Sequence, residues 1–140
     1  MTRRAAILAI CGAAPAFAAD PAQDVWEVVT AMAAALGVAD PGAFLAACDS
    51  GMPSYQTLRA NISALVAQAD IESGIDPVRN EGTDTAREVE VDWQLQLIDR
   101  SGLQRVTRRR ENIKLRFEKR GRKWKVVSLE PVAFFAPLSA

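Results

Sequence analysis

The sequence predicts an α+β fold: three N-terminal helices packed on a strongly curved antiparallel sheet, a cone-shaped α+β roll. Three observations predict it. Apolar residues recur at helical spacing through the first half of the chain, then alternate with polar ones through the second. Charge divides at the same place: residues 20–99 hold 14 acids and three bases, residues 100–125 twelve bases and two acids. Finally, long antiparallel strands with one apolar face need a cover, and the helices that precede them are the available one.

The N-terminal stretch "MTRRAAILAICGAAPAFAAD" has Arg3 and Arg4, an apolar run over residues 5–17, and small residues where a signal peptidase cuts. This is the pattern of a secretory signal peptide. The run is too short for a bilayer span, which takes about 20 residues, so no stable membrane span is expected. The predicted division is a signal peptide over residues 1–19 and one domain over residues 20–140. The predicted location is secreted or periplasmic after cleavage. Twin-arginine export and lipidation of Cys11 are weaker alternatives, because the remainder of each motif is poor. Removing the signal leaves Cys48 as the single cysteine. One cysteine makes no internal bridge, so the domain holds itself together by its core. About 120 residues suffices for one core.

The helices come first. Asp20-Pro21 reads as an N-cap with proline at the first helical position, and Gln23 gives a capping-box-like spacing. Val25, Val28, Val29, Met32, Ala33 and Leu36 follow on one stripe, with Trp26 lying over it and Gly37 as the expected C-terminal cap. Asp40-Pro41 repeats the start signal for a short second helix through Phe44, Leu45 and Cys48. Ser54 is the expected cap of a third, with Leu58, Ile62, Leu65 and Val66 on one face.

The strands follow. "IESGIDPV" reads as a broken strand, with Gly74 and Pro77 marking a bulge or an edge. "EGTDT" is a turn. "REVEVDWQLQLID" alternates, with Val89, Val91, Trp93, Leu95 and Leu97 on one face and Glu88, Glu90, Asp92, Gln94 and Gln96 on the other. A three-residue loop over residues 100–102 would set Asp92 opposite Arg110 and Glu88 opposite Lys114. A turn at "KRGR" would set Phe117 opposite Trp124, Leu115 opposite Val126 and Arg116 opposite Lys125. The last strand is "KWKVVSLEPVAFF".

That register places most of the basic stretch after Val106 on the solvated face, beside an acidic strand. Opposite charges paired across strands contribute about 0.2–1 kcal/mol each. A nucleic-acid surface would carry aromatic rings among its cations for stacking, whereas Trp93, Phe117 and Trp124 fall on the other face. No nucleic-acid partner is expected. Thr107, Arg109 and Glu111 stand out because they fall on the apolar face, opposite Leu95, Trp93 and Val91. A charge turned to the core is costly unless paired or wet. Two arrangements are open: a bulge that turns these groups outward, or an incompletely closed interior that they line. Mostly apolar hollows with a few convergent polar groups are the usual small-molecule sites.

Three segments carry a resemblance: the helix joint "DPGAFLAACD", the helix "SYQTLRANISALVAQA" and the closing "RGRKWKVVSLEP". By them the chain resembles the nuclear transport factor 2-like superfamily of cystatin-like α+β rolls, as a secreted bacterial-type member. The resemblance implies a cone that serves ketosteroid isomerase-like enzymes, dehydratases, hydrolases and many non-enzymatic binding modules, so the fold does not choose the function. The enzymes place acids, tyrosines or histidines inside the cone. This chain has no histidine and one tyrosine. Asp49 and Glu111 are the candidate catalytic residues, without a matched base and oxyanion donor. Tyr55, Trp93, Arg109 and Glu111 are the candidate ligand-binding residues. No metal-ligand cluster and no phosphate-binding glycine loop stands in the sequence, so no metal or cofactor is expected. The expected function is a non-catalytic domain binding a small apolar or anionic ligand, or a protein partner, through its cone cavity or sheet. The alternatives are an isomerase, dehydratase or hydrolase using an acid in the cone, and a homodimer formed through the sheet, to which "VAFFAP" could contribute.

Overall fold

A computed structural model describes residues 20–139; the expected export signal and its Cys11 lie outside them. Helix α1, Pro21–Gly37, starts as the sequence predicts. Asp20 accepts a hydrogen bond from the Gln23 amide at 3.2 Å, ahead of Pro21, which satisfies one of the orphan donors at a helix start. It buries Val25, Val29, Met32, Ala33 and Leu36 on one stripe, with Trp26 and Val28 half-buried beside it. The chain leaves the helix through Ala39, at φ 58°, and not through the expected Gly37. Helix α2, Pro41–Ala46, repeats the device with Asp40 accepting from the Ala43 amide at 3.0 Å. Helix α3, Tyr55–Gln68, buries Leu58, Ile62, Leu65 and Val66. Ser54 stands at its N-cap position but in the left-handed region (φ 62°), and its side chain caps nothing. This corrects the expected cap.

Four antiparallel strands follow in the order β1-β2-β3-β4 and curl over the helices: β1 Ala69–Gly82, β2 Ala86–Asp99, β3 Val106–Arg120 and β4 Lys123–Glu130. The outer strand β1 breaks register between Pro77 and Arg79, where proline has no N–H for the ladder. Its hairpin to β2 requires Gly82 (φ +146°), where a Cβ would lie 2.3 Å from the Ala86 carbonyl oxygen.

Both later hairpins differ in register from the prediction. Glu88 faces Arg116, Glu90 faces Lys114, Asp92 faces Asn112, and Thr107, Arg109 and Glu111 face Leu97, Leu95 and Trp93. The connection is six residues long because Arg100 is drawn away to end α3. Its amide donates to the Gln68 carbonyl at 2.9 Å and its guanidinium to those of Val66 and Ala67, supplying donors for last-turn carbonyls. The slip is two residues, so every side chain keeps its predicted face. Between β3 and β4, Phe117 faces Val126, Glu118 faces Lys125 and Lys119 faces Trp124 around a two-residue turn with Gly121 at φ 66°. Val127 is then an extra residue, since Arg116 faces Ser128. This bulge lets Trp124, Val126 and Leu129 all turn inward.

The predicted last strand is too long. β4 ends at Glu130, and Val132–Phe135 forms a 3-10 turn that carries Phe134 and Phe135 into the core. Phe135 meets Phe44 and Trp93 edge-on, with ring centroids 5.4 and 5.3 Å away. The buried set is wholly apolar among the described residues.

Candidate functional site

Arg109 sits where the alternation of β3 places it, on the inward side. It borders the gap between β3 and α3, and residues 131–138 run along that gap as a strap. The Arg109 Nη1 donates to the carbonyl oxygens of Phe134 at 2.8 Å and Ala136 at 2.6 Å, and Nη2 to that of Pro137 at 3.5 Å. From the facing wall, the Asn61 amide nitrogen donates to the Val132 carbonyl at 3.3 Å, and the Gln68 side-chain oxygen accepts from the Leu138 amide at 2.7 Å. All three side chains therefore bind the backbone of the strap. Burial draws the Arg109 pKa down from its ordinary value, yet a guanidinium stays charged in a protein. Among the described residues no carboxylate forms an ion pair with it.

The remaining candidates fall into two groups. Trp93 is fully buried beneath the strap, touching Phe135, and its Nε1 donates to the Ser73 hydroxyl at 3.0 Å. Glu111 is exposed and borders, with Arg109, Pro131, Ala133 and Phe134, an open hollow of about 320 Å³ beside the strap. Arg109, Trp93 and Glu111 are thus brought together. Tyr55 is half-buried at the first turn of α3, six residues before Asn61 and so about 9 Å along the helix.

Asp49 belongs elsewhere. It follows α2, and its amide donates to the Val126 carbonyl at 2.8 Å. Its carboxylate accepts from the Gly51 amide at 2.9 Å and pairs with Arg120 at 2.9 Å. The Gly51 hydrogen bond foremost, then the Arg120 guanidinium, hold its pKa below the usual carboxylate value against partial desolvation. A carboxylate so stabilised is a weak proton acceptor. Arg120 lies nine residues beyond Glu111 on the same strand, about 30 Å of extended chain, so the two candidate acids do not form one site. Cys48 is buried, and desolvation pushes its thiol up to about 12, the surroundings of a structural rather than a reactive cysteine.

The outer face of the sheet carries the charge. Arg110 pairs with Asp92 at 2.7 Å, and Arg79 with Glu90 at 2.9 Å and Glu81 at 2.8 Å. An open hollow of about 540 Å³ on this face is bordered by Glu72, Gln94, Gln96, Arg108 and Arg110. Gln96 and Gln94 donate there to Glu72 and Asp76. Phe134 and Phe135 of "VAFFAP" point into the core, not toward this face. Among the described residues, no group of three or more His, Cys, Asp or Glu side chains stands ready for a metal ion, and no helix is long and apolar enough to cross a membrane.

The two α3 residues that hold the strap were not anticipated. A signal for them exists: Asn61 and Gln68 are seven apart and share a face of α3 beside its apolar stripe. What they bind could not be read from that spacing.

No protein-family profile matches the sequence, and no curated protein matches it. Solved structures do. A conserved protein from Planctomyces limnophilus DSM 3776 superposes with a TM-score of 0.69 at 11% identity, over 76% of this chain and 91% of that one. A nuclear transport factor 2-like superfamily protein from Salmonella enterica serovar Typhimurium gives 0.64 at 13%, over 86% and 93%. A protein of unknown function with a cystatin-like fold from Nostoc punctiforme gives 0.59 at 15%, over 76% and 86%. The chain therefore has the α+β fold of nuclear transport factor 2-like and cystatin-like proteins. Identities this low carry the fold alone.

Proposed function

We propose that the protein is an exported, non-catalytic binding domain, and that it takes an apolar ligand bearing one negative charge at the mouth of its cone. The export half of this reading rests on the N-terminal sequence. The binding half rests on one observation: Arg109 is a half-buried cation on the inward side of β3, with neutral backbone carbonyls as its partners. A carboxylate offers the guanidinium an opposite charge and a two-pronged geometry that a neutral carbonyl does not. The wide separation of Asp49 and Glu111, and the lowered proton affinity of Asp49, favour binding over turnover, because proton-transfer chemistry needs its groups within hydrogen-bond reach of one substrate.

The test is titration of the domain with 2-naphthoate and with the neutral 2-naphthalenemethanol, followed by calorimetry. Saturable binding of the acid, at least about tenfold tighter than the alcohol and equalised in Arg109→Met, is expected. Equal binding of the two, or none by either, refutes the reading.

A further inference from the structure

The strap shows what the gap between α3 and β3 accepts. It is a stretch of uncharged chain: residues 131–140 contain no Asp, Glu, Lys or Arg. Its backbone is read by side chains on both walls. Asn61 and Arg109 donate to its carbonyls, and Gln68 accepts from one of its amides. Its side chains are read by depth, since Phe134 and Phe135 enter the core and Phe135 packs edge-on against Phe44, Trp93 and Phe134. Backbone hydrogen bonds that ignore sequence, joined to pockets for particular side chains, are a recurring mode of peptide recognition.

The occupant is also imperfect for its site. Arg109 Nη1 lies 2.6 Å from the Ala136 carbonyl oxygen, a neutral acceptor within a continuing chain. A chain that ended at that residue would put a carboxylate there. A carboxylate would receive charge-assisted and two-pronged hydrogen bonds from the guanidinium, and would supply the counter-charge that Arg109 lacks among the described residues. The resident strap holds its place through its tether, which gives it a high effective concentration. An outside segment must offset that advantage, and the carboxylate is the feature that lets it.

We propose that the gap between α3 and β3 is a groove for the C-terminal end of another polypeptide, one carrying two adjacent aromatic residues followed by a single small residue with a free α-carboxylate, and that such an end binds by exchanging with residues 131–138. This rests on the reading of Arg109 as an anion-binding group. It replaces the small molecule by a peptide end whose aromatic pair sits where Phe134 and Phe135 sit and whose carboxylate sits at Ala136.

The experiment compares acetyl-Phe-Phe-Ala with a free carboxylate and the same peptide as its C-terminal amide, on the folded chain, by calorimetry and by amide exchange. The free acid should bind at least about tenfold more tightly than the amide. That preference should vanish in Arg109→Met, and saturation with the acid should speed exchange of the amides of residues 134–136 and 138. Should Arg109→Met fail to fold, Arg109→Lys keeps the charge without the fork and should retain a reduced preference. Equal affinity for acid and amide, a preference that survives Arg109→Met undiminished, or unchanged exchange in the strap overturns the proposal. If neither peptide binds while 2-naphthoate binds through Arg109, the peptide groove is wrong and the anion site stands. If none of these binds, both are wrong.

Discussion

The two halves of β3 obey one alternation and meet two different surroundings. In residues 113–120 the inward positions Ile113, Leu115 and Phe117 are buried, and residues 114–118 pair on both sides, with β2 and β4. In residues 106–112 the inward positions are Thr107, Arg109 and Glu111, pairing with β4 has ceased, and the chain's own C-terminal segment lies alongside. The first surroundings are a core held by apolar burial over its whole face. The second are a seam, in which two phenyl rings supply the apolar contact and polar side chains hold the backbone. A seam of this kind opens more readily than a core because few ladder hydrogen bonds hold it.

This contrast can be broken in several ways. The largest effects belong to burial. Phe135→Ala should destabilise the domain by about 3–5 kcal/mol, and Leu115→Ala by about 2–5 kcal/mol, measured by urea unfolding. If Phe135→Ala cost less than 1 kcal/mol, the strap would not belong to the core. Next comes Arg109→Met, which strands carbonyls of the strap and should cost about 1–3 kcal/mol. Native-state amide exchange should rise first in residues 134–136 and 138 and leave residues 113–117 protected; uniform loss of protection would erase the distinction between seam and core.

Acid titration should produce a smaller change. Asp92, held low chiefly by its hydrogen bond from Arg110, and Asp49, held low by Gly51 and Arg120, have folded pKa values below the ordinary 3.8. Their contribution is present above that unfolded value and lost as pH falls through the folded values. The melting temperature should therefore drop below about pH 4, and less so in Asp49→Asn; an identical profile in that variant would remove Asp49 from the explanation. Smallest of all is Arg110→Ala on the outer face. Exposed pairs contribute little, so melting should barely move, although Arg110 is the immediate sequence neighbour of Arg109.

Much of the fold could be read in advance, for reasons visible in particular residues. Asp20-Pro21 and Asp40-Pro41 encode helix starts locally, and both cap as expected. The alternation from Val89 to Leu97 is a property of the pleat itself, so the inward face was legible even though the pairing slipped by two. The slip was not legible, because its cause is a tertiary contact: Arg100 reaching back to the carbonyls at the end of α3. Arg109 was legible as an anomaly on an apolar face. Its partners were not, because "VAFF" continues a strand pattern in sequence and becomes a 3-10 turn only where helices wait to receive its rings.

By itself the sequence determined which stretches wind, which pleat, and which side of each faces inward, since those depend on spacing along the chain. Only the tertiary structure decided the strand registers, the bulge at Val127 and the partners of Arg109. These depend on contacts between residues tens of positions apart, and no local period encodes them.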